Sequence, residues 1–572
     1  MRRSTFTRQK AESVGVFGVY DLEWHRETLE VTHAGVRDAA GYRCHRDVEG
    51  LLQDTLTRGG WWFAHAGGSY DMVQLFPQIL EHRDWSVKAA FSGSSAVVVQ
   101  IETKDGRRAS YGDSAMLLKA KLADIGRIVG LLKGDLQEAE NAGWAEVRDY
   151  NERDCEILYV ALQAFEQRLR DLGGELRPTL ASCAMAIFRS SYLSRDLSTS
   201  TTANATARAA YTASRVEIFR GECQKANYFD INSSFPYSMT FACPGEVTRV
   251  GRRWTGSELA IVEATVTVPE SYLPPLPVRV DGSVYHPTGT WRGWYSGVDL
   301  IEAKAAGATI EQTHKAIHFA EWGDLAAYSR DLYERRMAAK AVGNKMDDMT
   351  TKILLNALYG KMAENPCKEE MLVRPRKKPK DGRMVMPGVW VVPEVRTIEH
   401  EHVAAPVIIT SRSRHLLRKG LAKALEQGEI YYCDTDSVIC QGELPSGDKL
   451  GEWKLEARIL GGQFLAPKLY SVTKDLPEGV HGPRLMDVRA KGFRRATWRE
   501  FMALAMGEVA KVESFSRVRG MLSTAGRTGE VKPTRGYVEK RWLGTARPKR
   551  APDGENNTRA WTIGELQGGW KK

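Results

Sequence analysis

Between Ile430 and Cys440 two short apolar-rich runs, Ile-Tyr-Tyr-Cys and Ser-Val-Ile-Cys, flank an acidic centre, Asp434-Thr435-Asp436. Strand-prone runs this short, interrupted by polar residues, read as a hairpin with both carboxylates near its tip. Two such carboxylates, with a third from elsewhere, can hold paired divalent ions about 3.5–4 Å apart, the geometry for in-line phosphoryl transfer. Hard oxygen ligands suit Mg2+. Taken alone, the segment reads equally well as an acidic solvated turn, and the rest of the chain decides between the two.

A chain of 572 residues is too long for one core and predicts about three to five domains. Its 42% hydrophobic and 27% charged residues fit an ordinary globular protein rather than a disordered or membrane-spanning one. The formal net charge of +10 suits a polyanionic partner. Eight cysteines are scattered without a C-x-x-C pair, which argues against a zinc module or disulfide scaffold and predicts a reducing cytoplasmic setting. The first ten residues lack the apolar segment of a signal peptide, and no run of 18 apolar residues exists, so no membrane span is expected.

Residues 14–24 and 94–102 read as strands, and apolar spacing over 146–170 predicts a long helix, so the first ~170 residues form an α/β unit. A strand at Lys225–Asp230 leads into Ile-Asn-Ser-Ser-Phe-Pro236, and 324–364 reads as a long helical region. Pro366–Pro393, with basic residues from Arg374 to Arg383, reads as a loop or β-ribbon.

Three segments then fall into one order. Asp230 closes a strand and can supply a third acid, with Phe235 just beyond it. Lys352, Asn356 and Tyr359 share one helical face, offering a cation, an amide and a ring. Asp434 and Asp436 follow. Upstream lies a second acidic set. Asp21 and Glu23 end the first strand, Asp71 follows Tyr70, and Tyr150 and Asp154 stand at i, i+4 on the predicted helix. Four carboxylates and a tyrosine could form a two-metal hydrolytic site. Each piece alone has an ordinary structural reading; all of them together, in this order, do not.

These segments resemble the motifs of family B DNA polymerases, and most of all the protein-primed subgroup of phages and linear plasmids. Lys468-Leu-Tyr470 is similar to the subgroup's K-x-Y motif, Thr410-Ser-Arg-Ser-Arg414 to its T-x-x-A-R motif with Ser413 in place of Ala, and Lys491-Gly492 to a later DNA-contacting segment. Lys340 stands where the family has a second triphosphate-binding lysine. Upstream, Lys133 matches the exonuclease lysine and Ser114 a single-strand-binding segment. Phe219-Arg-Gly-Glu222 resembles the Y-x-G-G linker but departs from it at Phe219 and Glu222. Phe235 replaces the usual sugar-gating Tyr, and Ala66, beside His65, replaces an Asn that grips the single-stranded 3′ end.

The resemblance implies an α/β fold, with a ribonuclease-H-like 3′–5′ exonuclease domain (1–175) followed by a right-hand polymerase. Linker and palm would span 176–335, with a terminal-protein-contacting insertion near 280–325. Fingers (336–365) and a basic insertion for processivity and strand displacement (366–409) would follow. The palm with its catalytic hairpin (410–497) and a thumb (498–572) would complete the chain. It further implies catalysis and metal binding by Asp230, Asp434 and Asp436 in one site and by Asp21, Glu23, Asp71 and Asp154 in the other, the latter with Tyr150 and Lys133. Phe235, Lys340, Lys352, Asn356 and Tyr359 would bind nucleotide, and Ser114, Thr410, Arg414, Lys468, Tyr470 and Lys491 would bind DNA. Two Mg2+ per site, replaceable by Mn2+, primer-template DNA, deoxynucleoside triphosphates, a separate terminal protein and a monomeric state complete the expectation. The alternatives are a nuclease whose polymerase half only holds DNA, a member that primes without a terminal protein, and a non-enzymatic DNA-binding protein.

Overall fold

The computed structural model describes residues 3–8, 15–475, 485–491, 496–541, 547–554 and 556–568. The N-terminal unit contains β1 (Phe17–Trp24), β2 (Val31–Asp38), β3 (Gly41–His45), α1 (Val48–Arg58), β4 (Trp61–Ala64), α2 (Asp71–Glu81), β5 (Ser86–Ser92), β6 (Ser95–Glu102), β7 (Arg108–Asp113) and α3 (Trp144–Asp171). β4 runs parallel to both β1 and β7. Such central strands are covered on both faces, so they read as continuous apolar runs. Phe17, Val19 and Phe63 enter one core, while Tyr20, Leu22, Trp62 and Ala64 enter the other. The helix expected at 146–170 is α3, whose buried stripe of Val147, Leu158, Leu162, Phe165 and Leu169 lies over β1 and β2.

The next unit begins with β8 (Val216–Ile218), β9 (Ala226–Ile231) and α4 (Ser234–Met239). An inserted sheet follows, built from β10 (Cys243–Gly251), β11 (Ala260–Val268), β12 (Gly289–Ser296) and β13 (Thr309–Trp322) in the order β10-β13-β11-β12, with α5 (Gly297–Ala305) packed on it. It overlaps the 280–325 window expected from sequence. The helical region expected over 324–364 is a helical hairpin, α6 (Asp324–Ala341) and α7 (Lys345–Lys361). The break falls at Gly343, φ +71°, where the left-handed turn suits glycine, and the Asn344 side chain then caps α7 by accepting the Asp347 N–H.

The basic segment is a β-ribbon of β14 (Cys367–Val373), β15 (Arg383–Met386) and β16 (Val389–Val395). It does not stand free. β14 pairs antiparallel with β5, Glu370 opposite Ala90 through Val373 opposite Val87. The N-terminal sheet thereby extends to ten strands, β15-β16-β14-β5-β6-β7-β4-β1-β2-β3.

After α8 (Ala404–Leu425) come β17 (Ile430–Asp434), β18 (Ser437–Cys440), β19 (Trp453–Ala466), β20 (Leu469–Lys474) and β21 (Leu485–Ala490). They complete a sheet in the order β8-β17-β18-β9-β19-β20-β21, with the short strand Glu222–Cys223 added on β19. The region expected as one thumb divides. α9 (Trp498–Ala505), β22 (Val509–Phe515), α10 (Val518–Thr528) and β23 (Arg535–Arg541) come first, and Val518, Met521 and Leu522 of α10 enter the core shared by β1, α2 and β14. Residues 547–568 instead return to the β8 side, where the Arg550 guanidinium lies 4.5 Å and 4.4 Å from the rings of Phe219 and Tyr272 and pairs with buried Glu217. One large core runs from α3 through the helix Leu180–Ile187 to α6, α7 and α8, with Phe165, Leu169, Phe188, Leu332, Leu354, Leu358 and Ile409 all buried.

Candidate active sites

The hairpin β17–β18 turns at Asp434-Thr435-Asp436. The Asp436 N–H bonds the Asp434 carbonyl at 2.7 Å across Thr435, whose φ is +65°. A β-branched residue rarely adopts this conformation, so the turn holds local backbone strain. It is kept in place by the Thr435 N–H donating to the Arg215 carbonyl (2.9 Å) and its hydroxyl donating to Asp434 Oδ1 (3.0 Å). The Asp436 carbonyl accepts the Ile231 N–H at 2.8 Å, and Asp230 stands opposite Ser437, so the turn is tied to the end of β9 beside Asp230.

Burial, then repulsion from Asp436, pushes the Asp230 carboxyl up to about 7, with Lys454 and Lys352 opposing. Burial and Asp434 push Asp436 up to about 6, against Lys468. The Lys468 ammonium is paired with Asp434. On α7, Lys352 and Asn356 are exposed, and the Tyr359 ring stacks on Phe235 with centroids 4.7 Å apart. Lys340 is exposed in the last turn of α6, which packs on α7.

The second site lies at the end of β1. Asp21, Glu23 and Asp154 each present an oxygen within 4.8 Å of the others. Among the described residues no other trio of acids, histidines or cysteines meets that spacing, so Asp230, Asp434 and Asp436 do not all fall within it. Asp71, first residue of α2, sits beside the trio and accepts the Leu22 N–H at 3.1 Å. Burial and the neighbouring Glu23 and Asp154 hold Asp21 well above the usual carboxylate range. Burial and Asp154 push Glu23 up to about 8, and burial pushes Asp71 up to about 7. Three carboxylates this close cannot all ionise without a compensating cation. Lys133 provides part of it by pairing with Asp154, its ammonium 4.4 Å from the Tyr150 ring centroid. Asp154 Oδ1 is buried without a hydrogen-bond partner. An all-oxygen donor set with one orphaned buried oxygen fits a hard divalent ion.

Three residues expected on DNA are buried instead. Ser114 donates to the Ala64 carbonyl (3.1 Å) and pairs with His65 Nδ1 (3.1 Å). Thr410 returns its hydroxyl to the Pro406 carbonyl at 2.7 Å within its own helix. Arg414 pairs with buried Asp299 at 2.8 Å and donates to the carbonyls of Thr212 and Ala213. Most of their polar groups bond inside the protein, and Arg414 Nε is buried without a hydrogen-bond partner. His65 is likewise held at both nitrogens, the second by the Ala120 carbonyl (3.0 Å). Tyr470 packs on Tyr432 and Phe464, which leaves Lys468 as the more exposed part of that motif. Lys491 is exposed, its N–H bonded to the Lys468 carbonyl; Gly492 lies outside the described residues.

Two features escaped the sequence reading. Ser413, in place of the family's Ala, pairs its hydroxyl with that of Ser234 at 2.7 Å, joining α8 to the segment after Asp230. Asn151 is fully buried, and its amide donates to the carbonyl and carboxylate of Asp21. The available signal was its position, on the apolar stripe that runs from Val147 to Leu158.

Residues 132–436 match the family "DNA polymerase type B, organellar and viral". A "DNA-directed DNA polymerase" of Enterobacteria phage PRD1 is 24% identical over 73% of this chain and 74% of its own. "Probable DNA polymerase" sequences of Podospora anserina and Ascobolus immersus are each 25% identical over 51% and 61% of this chain, which spans only 28% and 31% of theirs. The fold is that of phi29 DNA polymerase. Its complex with primer-template DNA and incoming nucleotides superposes with a TM-score of 0.70 at 16% identity, covering 92% of this chain and 99% of that one. A ribonuclease-H-like unit followed by palm, fingers and thumb is thus the architecture, and since the matched stretch runs from beside Lys133 to Asp436, over half the chain, the protein belongs to the organellar and viral type B DNA polymerases.

Proposed function

We propose that the protein is a DNA-directed DNA polymerase of a viral or plasmid replicon, with a separate 3′–5′ proofreading exonuclease. One observation carries this reading: the chain holds two distinct acidic centres, one at a strained hairpin tip facing a Lys352/Phe235/Tyr359 surface, the other a tight trio beside Lys133 and Tyr150. A nuclease that merely held DNA in its second half would have no use for the former.

In the palm, Asp230, Asp434 and Asp436 would hold Mg2+ pairs, and in the exonuclease site Asp21, Glu23 and Asp154 would do so with Asp71. Bound divalent ions supply charge neutralisation and orientation for in-line displacement. The chain's own part is positioning and electrostatics. Lys352, with Lys340 behind it, neutralises triphosphate charge as the primer 3′-oxygen bonds to the α-phosphorus and pyrophosphate departs. The Phe235 ring excludes a 2′-hydroxyl without a phenol to bond the sugar. Lys468 and Lys491 meet the primer strand. In the other site Lys133 holds the Asp154 carboxylate in place, with the Tyr150 ring beside the ammonium.

Priming from a hydroxyl on a separate terminal protein, docked on the inserted sheet of Cys243–Trp322, fits the subgroup. A monomer in the cytoplasm is the proposed working form; no helix of the described residues is long and apolar enough to cross a membrane. The test is a 5′-labelled primer on a longer template with Mg2+, with and without deoxynucleotides. Extension lost in Asp434→Ala, and shortening lost in Asp21→Ala, are expected. Shortening in both lanes with no extension would overturn the polymerase reading.

A further inference from the structure

Asn151 and Gly35 occupy places that neither intrinsically suits. Asn151 lies on the buried stripe of α3, where an unpaired amide is costly and a leucine would pack better. Gly35 lies inside β2, where glycine weakens a strand. The two are linked. A Cβ on Gly35 would stand 1.8 Å from Asn151 Oδ1, so the glycine is what admits the amide. Gly35 is also the residue directly opposite Asp21 in the β1–β2 pairing.

The amide's bonds are fully directed. Nδ2 donates to the Asp21 carbonyl at 3.1 Å and to Asp21 Oδ2 at 3.0 Å. Oδ1 accepts the Tyr42 hydroxyl at 2.9 Å, and the Asp21 carbonyl, which can only accept, fixes the NH2 end of the amide toward Asp21. One group thus ties the backbone and the carboxylate of the same aspartate and leaves that carboxylate a single orientation. The need for it is local. Asp21 is crowded by Glu23 and Asp154, and an untethered carboxylate would rotate away from them.

We propose that Asn151, oriented by Tyr42 and admitted by Gly35, is a positioning residue that presets the Asp21 carboxylate for divalent-ion binding. The inference rests on the exonuclease reading of the trio. Groups that orient ligands in this way typically carry a 10- to 100-fold effect on metal affinity or activity.

The test compares Asn151→Ala, Gly35→Ala and Tyr42→Phe with the unmodified chain, with Asp21→Ala as the variant that removes the site. Mn2+ affinity is read by electron paramagnetic resonance on the DNA-free protein, the signal retained by Asp21→Ala being subtracted as ion bound elsewhere. Degradation of a single-stranded oligonucleotide and primer extension are followed at increasing Mg2+. Asn151→Ala is expected to weaken the Asp21-dependent Mn2+ binding and to raise the Mg2+ needed for half-maximal degradation, each by about tenfold or more. Extension should stay within twofold of the unmodified chain. Gly35→Ala should do the same with Asn151 still present, and Tyr42→Phe should do so more weakly. Unchanged Mn2+ affinity in Asn151→Ala would overturn the proposal. So would parallel loss of extension and degradation with a lowered unfolding temperature, since that marks a merely structural residue. If the unmodified chain degrades nothing, the exonuclease reading falls, and the Mn2+ comparison still decides the role of Asn151.

Discussion

Ala66 holds φ +61°, a conformation that costs an L-residue about 1–2 kcal/mol and that Gly and Asn tolerate best. Asp113, at the end of β7, lies beside this turn, and its carboxylate accepts the Ala115 N–H at 2.9 Å. The backbone here has a shape that an Asn would tolerate better than Ala. Ala66→Gly is expected to stabilise the protein by about 1 kcal/mol in denaturant unfolding. Ala66→Asn should match it and also lower the KM for a single-stranded 3′ end, measured by oligonucleotide degradation. At this scale the acids Asp21, Glu23 and Asp154 were legible by residue type and order, and the structure brings their oxygens together. Ser114, Thr410 and Arg414, expected on DNA, are buried, and a motif gives identity and not the direction of a side chain. A hydroxyl that returns to a carbonyl four residues back, as Thr410 does, looks the same in sequence as one that faces solvent.

Arg414 shows what an element needs from such a residue. Its partner Asp299 also accepts from Ser296 and Ser411 and pairs with His415, so one carboxylate joins the N-terminus of α5 to the middle of α8. Arg414→Leu leaves that carboxylate buried with a weaker partner and should cost about 3–5 kcal/mol in denaturant unfolding. The salt dependence of DNA binding should not change, whereas a phosphate-contacting residue would lower its slope by about one.

The hairpin acids carry a second consequence at this scale. Asp230 at about 7 and Asp436 at about 6 both lie above their unfolded values near 4. Raised carboxyls favour the fold while protonated, so the metal-free protein should lose stability as pH rises from about 4 through 7. Divalent ions bind the ionised form. The rise in unfolding temperature on adding Mg2+ is therefore expected to be near zero at pH 5 and to grow through pH 8. An equal rise at both ends would show that these groups are not its ligands. The hairpin itself was legible from its flanking strands. The turn at Thr435 was not, because the Arg215 carbonyl that holds its N–H lies more than two hundred residues away in sequence.

Across the whole molecule, the docking of the ribbon on the N-terminal sheet is what the sequence does not show. Its basic run reads as a loop or β-ribbon and is a ribbon, but one tied down: Arg374 donates to the carbonyls of Leu80 and His82, and Arg376 pairs with Glu102. Lys377, Lys378 and Lys380 are the exposed lysines of the run. Their joint replacement by Ala should shorten products in a polymerase-trap assay and reduce the salt slope of DNA binding, while single-nucleotide addition persists. Removing 371–393 outright would be a poorer experiment, since it strips β14 from β5. Pairings between distant segments have no local sequence signal, which is why neither the ten-stranded sheet nor the return of Arg550 to Glu217 could be anticipated.

That same pairing sets a timetable for synthesis. The bond from Ser86 to the Arg374 carbonyl closes a separation of 288 residues. At about 5–20 residues per second, the edge of β5 waits roughly a quarter of a minute to a minute before its partner strand leaves the ribosome. For that interval the nascent N-terminal unit carries an open strand edge, the kind of surface that recruits foreign strands. Lys88, on that edge and later paired with Glu370, places a charge where a mismatched neighbour would have to bury it.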